Sequence, residues 1–225
     1  MSLVLGIDTS TDVRVGLAGD GVPLASAAVR DVRQHAERLA PLIAELVQSA
    51  GVTLGEVTQI CVGMGPGPFT GLRVGIVTAQ TLASVLGVPL RGVCGLDVVA
   101  AQFVAEVANR SGQGGPSEFV VAADARRKEL YWARYSARGE RIAGPSVGPP
   151  DQLPDLLVIG PGADVYPSVR RGRERVGPGE LDAGLLAAVG PQLPEVGPKP
   201  LYLRRPDAAV PTVRKSTLVR PTRTR

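Results

Sequence analysis

Three short apolar segments open the chain with barely a turn between them, and nothing else in the sequence restricts the fold as much. Leu3-Val-Leu-Gly-Ile7, closed by Asp8, reads as a buried strand, and Arg14-Val-Gly-Leu-Ala18 as a second. The turn signal Gly19-Asp-Gly21 then leads to a third strand from Pro23 to Val29. Together they make a meander. A helix follows, because Leu39, Leu42, Ile43, Leu46 and Val47 recur at helical spacing and Gly51 stops the run. Pro41 lies inside this stripe and predicts a kink or the true start of the helix there. Gln59 to Met64 is a fourth strand, and a Gly/Pro loop leads to a helix from about Gly71 to Leu86, ended by Gly87. Pro89 to Cys94 is a fifth strand, and Leu96 to Asn109 a third helix.

A meander followed by alternating helices and strands gives a mixed sheet with helices on its faces. The order is that of an RNase H-like or actin-like α/β lobe. After the break Ser111-Gly-Gln-Gly-Gly-Pro116, a second meander runs through Glu118–Asp124, Glu129–Ser136 and Arg141 onward. Leu156–Ile159 reads as a further strand and Leu181–Val189 as a short helix. The second half is thus a reduced repeat of the first. The expected organisation is an N-terminal lobe over 1–110, a smaller second lobe over 111–203, and a basic tail over 204–225.

The formal net charge of +4 hides a division, since residues 201–225 carry seven Arg/Lys against one Asp and the remainder is slightly acidic. Such a tail is solvated, with non-specific RNA contact as its functional alternative. The N-terminus has no basic leader and no cleavage site, and no apolar run reaches the ~18 residues that span a membrane. The expectation is a soluble, cytoplasmic protein. Cys61 and Cys94 form no CxxC pair and read as buried thiols.

Asp8-Thr9-Ser10-Thr11 closes the first strand. An acidic residue beside small hydroxyls in such a turn can meet phosphate and its metal, or simply form an Asx/Ser turn. The stretch from Gly63 to Arg73 is unusual: Gly65, Pro66, Gly67, Thr70 and Gly71 form a stiff loop before a helix N-terminus. It matches neither a P-loop nor G-x-G-x-x-G, so it is an anion loop or a rigid interface. Gly75, Ala79 and Ala83 permit close helix approach, to the protein's own sheet or to a partner. His35 is the one histidine, too few for a histidine metal centre. Asp124 to Trp132 reads as a charged, solvated hairpin tip.

Several segments together resemble the TsaB (YeaZ) family of tRNA threonylcarbamoyladenosine biosynthesis subunits, in the glycoprotease-like (M22) superfamily. They are Gly6–Thr11, Arg33–Ile43, Gly63–Ile76, Thr78–Gln80, Asp124–Arg126 and Leu201–Arg204. Pro68 stands where the family usually has Ser. The resemblance implies a two-lobed actin-like ATPase (ASKHA) fold with an eroded nucleotide cleft at Asp8, Thr9 and Ser10. It implies no cofactor, and pairing with TsaD through two helices, about 34–50 and 71–86. Leu39, Leu42, Leu46, Arg73, Val77 and Gln80 are the expected interface residues. TsaE, a P-loop ATPase, would join the complex, a homodimer would use the same face, and tRNA would be met through the complex. The catalytic relative TsaD carries two metal-binding histidines where Gly95 and Val99 stand here, so the implied role is a non-catalytic scaffold. Alternatives are a small ATPase or kinase using Asp8, with Gly160-Pro-Gly-Ala-Asp164 as its poor second phosphate loop, or an M22-type peptidase.

Overall fold

The computed structural model describes residues 2–30, 35–109 and 115–204, with the side chains of residues 35 and 36 excepted. The basic tail beyond 204, the segment 110–114, residues 33 and 34 and the His35 side chain therefore lie outside the described residues. The first half contains β1 (Leu3–Asp8), β2 (Val13–Gly19), β3 (Val22–Val29), α1 (His35–Ser49), β4 (Gln59–Gly63), α2 (Phe69–Leu86), β5 (Leu90–Val93) and α3 (Gly95–Ala108). The second half contains β6 (Glu118–Asp124), β7 (Leu130–Ser136), β8 (Arg141–Gly148), β9 (Leu157–Ile159), α4 (Pro161–Val165) and α5 (Ala183–Val189).

The internal repeat is visible in the strand orders. The first sheet runs β3-β2-β1-β4-β5 and the second β8-β7-β6-β9, the same order without its last strand. In each, the meander is antiparallel and the next strand returns parallel to the first, β4 beside β1 and β9 beside β6. This is the mixed-sheet α/β architecture expected of an actin-like fold.

α1 and α2 cover one face of the first sheet, where Leu5, Ile7, Val15, Leu17, Ile60 and Val62 meet Leu39, Leu42, Leu46, Leu72 and Ile76. Pro41 does not break α1, which runs through it. α2 is 18 residues long with a mean hydropathy of 1.3, so it does reach the length that crosses a membrane. Its apolar inner face, including Ile76 and Ala79, is occupied by the sheet.

The other face of the first sheet is covered by α5, a helix from the far end of the chain. The contact is unusually close because Gly6 and Gly16 sit opposite one another on β1 and β2. A Cβ at Gly16 would collide with the backbone of Ala183 and Gly184. Glycine within a strand often marks such an approach. α3 packs against both α5 and the second sheet, where Phe103, Phe119 and Tyr135 form a ring stack. One core thus runs from Val4 and Cys61 through Val99 and Leu186 to Val121 and Tyr135. The expected boundary near 110 separates two sheets that share this core. Polar ties reinforce the joint: Asp182 caps α5 by accepting from Gly184 N at 2.7 Å, and Ser26 Oγ on β3 donates to the same oxygen at 2.5 Å. Arg14 pairs with Asp12 at 2.8 Å and with Glu180 at 2.9 Å.

Candidate functional site

The end of β1 is where a nucleotide-binding relative of this fold would hold phosphate, and here the turn holds itself. Asp8 is fully buried, and its Oδ1 accepts from Ser10 N at 2.9 Å and Ser10 Oγ at 2.6 Å. This is the Asx/Ser turn. Asp8 Oδ2 has no hydrogen-bond partner, and burial raises the pKa of this carboxyl against the lowering effect of Ser10. Thr9 points the other way, into α2. Its hydroxyl donates to Gly71 O at 2.7 Å and accepts from Gly75 N at 3.0 Å. Gly75 is glycine because a Cβ there would collide with Thr9 Oγ1.

The Gly/Pro loop seals the turn from above. Gly65, Pro66 and Gly67 are buried, and a Cβ at Gly67 would stand 2.9 Å from Ser10 Cβ. Gly65 O accepts from Gly95 N at 2.8 Å, which joins the loop to the start of α3. Gly95 faces the aspartate, since a Cβ added there would lie 3.5 Å from Asp8 Oδ2. Val99, one turn further along α3, is buried in the shared core. No group of three or more His, Cys, Asp or Glu is placed to hold a metal among the described residues. Cys61 and Cys94 are free, and burial pushes both thiols up to about 12. Gly160–Asp164 forms the short helix α4 rather than an open phosphate loop.

The six expected interface residues divide. Arg73, Val77 and Gln80 lie on the exposed side of α2. Leu39, Leu42 and Leu46 do not face solvent: they are buried under α1 against the first sheet. They must be withdrawn from the contact surface, because the stripe that makes α1 amphipathic is the stripe the core consumes. The outer side of α1 is formed instead by Ala40, Pro41, Ala44, Glu45 and Gln48. Gly75, Ala79 and Ala83 likewise serve the protein's own packing. The outer side of α2 carries apolar residues missed in the sequence, Phe69 at 41% and Val85 at 77% exposure, in line with Val77 at 52%. Their signal was available, since Phe69, Arg73, Val77 and then Thr81 and Val85 recur every fourth residue away from the buried stripe.

The hairpin between β6 and β7 is more than a solvated tip. With Thr70 and Tyr202 it lines a cleft of about 350 Å³, which also takes in Pro68, Phe69, Arg126, Arg127 and Arg204.

These features define an actin-like α/β protein whose phosphate-binding turn is closed by its own side chains. Residues 29–165 match the family described as TsaD, tRNA N6-adenosine threonylcarbamoyltransferase. A Mycobacterium tuberculosis (H37Rv) protein described only as uncharacterized is 38% identical over 218 residues, 92% of this chain and 94% of its own. The tRNA threonylcarbamoyladenosine biosynthesis protein TsaB of Escherichia coli K12 is 35% identical over 133 residues, 59% of this chain and 54% of that protein. A solved structure of YeaZ from Pseudomonas aeruginosa superposes with a TM-score of 0.67 at 30% identity, covering 84% of this chain and 91% of that one. The chain belongs to the TsaD family, and within it to the TsaB/YeaZ branch.

Proposed function

We propose that this protein is a non-catalytic scaffold subunit in the formation of threonylcarbamoyladenosine next to the tRNA anticodon. On this reading it works in the cytoplasm, binding TsaD and activating it together with TsaE. The observation that carries the proposal is the outer side of α2. Three apolar side chains, Phe69, Val77 and Val85, stand in solvent along one helical line, with Arg73 over the Phe69 ring at 5.2 Å. An exposed apolar line on a helix whose other face is fully packed suits a partner helix. Two further features support a role of shape rather than chemistry. Asp8 and Thr9 are committed to internal contacts, and the shared core joins the two sheets, so the protein presents a fixed surface.

The test is calorimetric titration of TsaD into this protein. Wild type should associate, and Val77→Arg or Val85→Arg should weaken association at least tenfold with thermal stability unchanged, as expected for apolar anchors. Association that ignores both substitutions would refute the α2 surface. The same face would serve a homodimer, and the same variants would then remain monomeric at concentrations where wild type dimerises.

A further inference from the structure

Three segments far apart in the chain converge on the cleft between the two sheets: the α2 N-terminus, the β6–β7 turn, and Tyr202–Arg204. The scaffold reading uses none of this convergence. The cleft is lined by three guanidinium groups, Arg126, Arg127 and Arg204, and by the rings of Phe69, Tyr131 and Tyr202. Phe69 and Tyr202 pack at 4.9 Å between centroids with a 40° tilt, and both remain partly in solvent. No side chain caps the first amides of α2, which open at the same place. Two carboxylates approach: Glu129 is ion-paired with Arg204, and Asp124 lies 3.5 Å from Arg126. Arg73 and Lys128 flank the rim, so positive charge still predominates.

Guanidinium groups match phosphate oxygens in a fork geometry, while aromatic faces accept any nucleobase. We propose that this cleft binds single-stranded RNA, a phosphate seated among Arg126, Arg127 and Arg204 and a base against Phe69 and Tyr202. The inference deepens the function proposed above, since it rests on tRNA being the substrate of the complex. It gives this chain a direct contact with that substrate. A polymer is favoured over a free nucleotide for two reasons. The turn that would grip a polyphosphate, Asp8 to Ser10, is bonded to itself and closed by Gly67. Directly after Arg204, residues 205–225 add six Arg/Lys against one Asp, which extends the positive charge beyond the span of one nucleotide.

The experiment is fluorescence anisotropy of the full chain with a short fluorescein-labelled single-stranded RNA, over a range of salt concentrations. Wild type should bind and weaken as salt rises. Arg126→Ala/Arg127→Ala should weaken binding about tenfold or more and reduce the salt slope by about two, near one per lost phosphate contact. Tyr202→Ala should weaken it roughly tenfold with the slope unchanged, as loss of one stacked base predicts. Both variants should melt as wild type does, which separates a lost contact from a lost fold. Arg220→Gln/Arg223→Gln/Arg225→Gln, in the full chain, should keep binding that remains sensitive to the cleft substitutions. The proposal is overturned if wild type does not bind, or if only the tail substitutions matter. It is overturned equally if ATP displaces the RNA at matching affinity, which would make the ligand a free nucleotide. All readouts use the chain alone, so failure here leaves the TsaD association as a separate result.

Discussion

The two sheets each begin with a strand that ends on an aspartate, and the turns that follow have opposite fates. Asp8 closes β1 and Asp124 closes β6, and each accepts a backbone N–H two residues on, Ser10 N at 2.9 Å and Arg126 N at 2.8 Å. The local geometry is the same Asx-type turn. What differs is the side chains that come next. Thr9 and Ser10 are small enough to be swallowed by α2 and the Gly/Pro loop, and the first turn becomes a lock. Arg126, Arg127 and Lys128 all take left-handed backbone angles, with φ of 61°, 53° and 62°, and the second turn becomes a cationic rim. Where a nucleotide enzyme would draw phosphate ligands from both turns, this protein has used one for internal cohesion and kept the other open.

The sharpest way to break that comparison is to force the lock. Gly75→Val should cost about 3 kcal/mol or more in urea unfolding, because the branched side chain cannot coexist with Thr9 in a packed site. A loss below about 1 kcal/mol would mean that α2 and the first turn are not locked together. Thr9→Ala should cost less, about 1–3 kcal/mol, through the two hydrogen bonds lost inside the protein. Asp8→Asn should go the other way. Because burial raises the pKa of the folded-state carboxyl above 3.8, the native state holds a proton that the unfolded chain has released. Stability therefore falls as pH rises from the ordinary carboxylate range through the folded pKa. Removing the charge should raise the melting temperature at pH 7 by about 1 kcal/mol, or roughly 3 °C, with the gain fading in acid. A lower melting temperature for the variant at pH 7 would show that the carboxylate is held by a group that the geometry lacks. The smallest effect belongs to the open turn, where Lys128→Gly relieves a left-handed residue and should shift stability by less than about 1 kcal/mol. A larger loss would make the second turn as tightly built as the first.

Much of this was legible in the sequence, and the exceptions have physical causes. The strand order followed from apolar runs of the right length and from turn signals such as Gly19-Asp-Gly21. α4 was not, since five residues opened by Pro161 carry no periodicity, and the same segment served equally well as a loop. The placement of Leu39, Leu42 and Leu46 shows a deeper ambiguity. A regular apolar stripe proves that a helix has a buried side, but it cannot say whether sheet or partner buries it, and here the sheet does. Gly6 and Gly16 announced a close backbone approach, yet nothing nearby identified α5, some 170 residues on, as the element that approaches. The cleft was hidden for the same reason. Phe69, Arg126 and Tyr202 meet through folding of distant segments, and only the resemblance had marked their three motifs together.

The account holds that this protein contributes surface and not chemistry, and reconstitution of threonylcarbamoyl transfer to tRNA with TsaD and TsaE tests it most directly. The Asp8→Asn protein should support modification as wild type does, while Val77→Arg should abolish support and association together. An Asp8→Asn protein that still binds TsaD yet leaves the tRNA unmodified would contradict it.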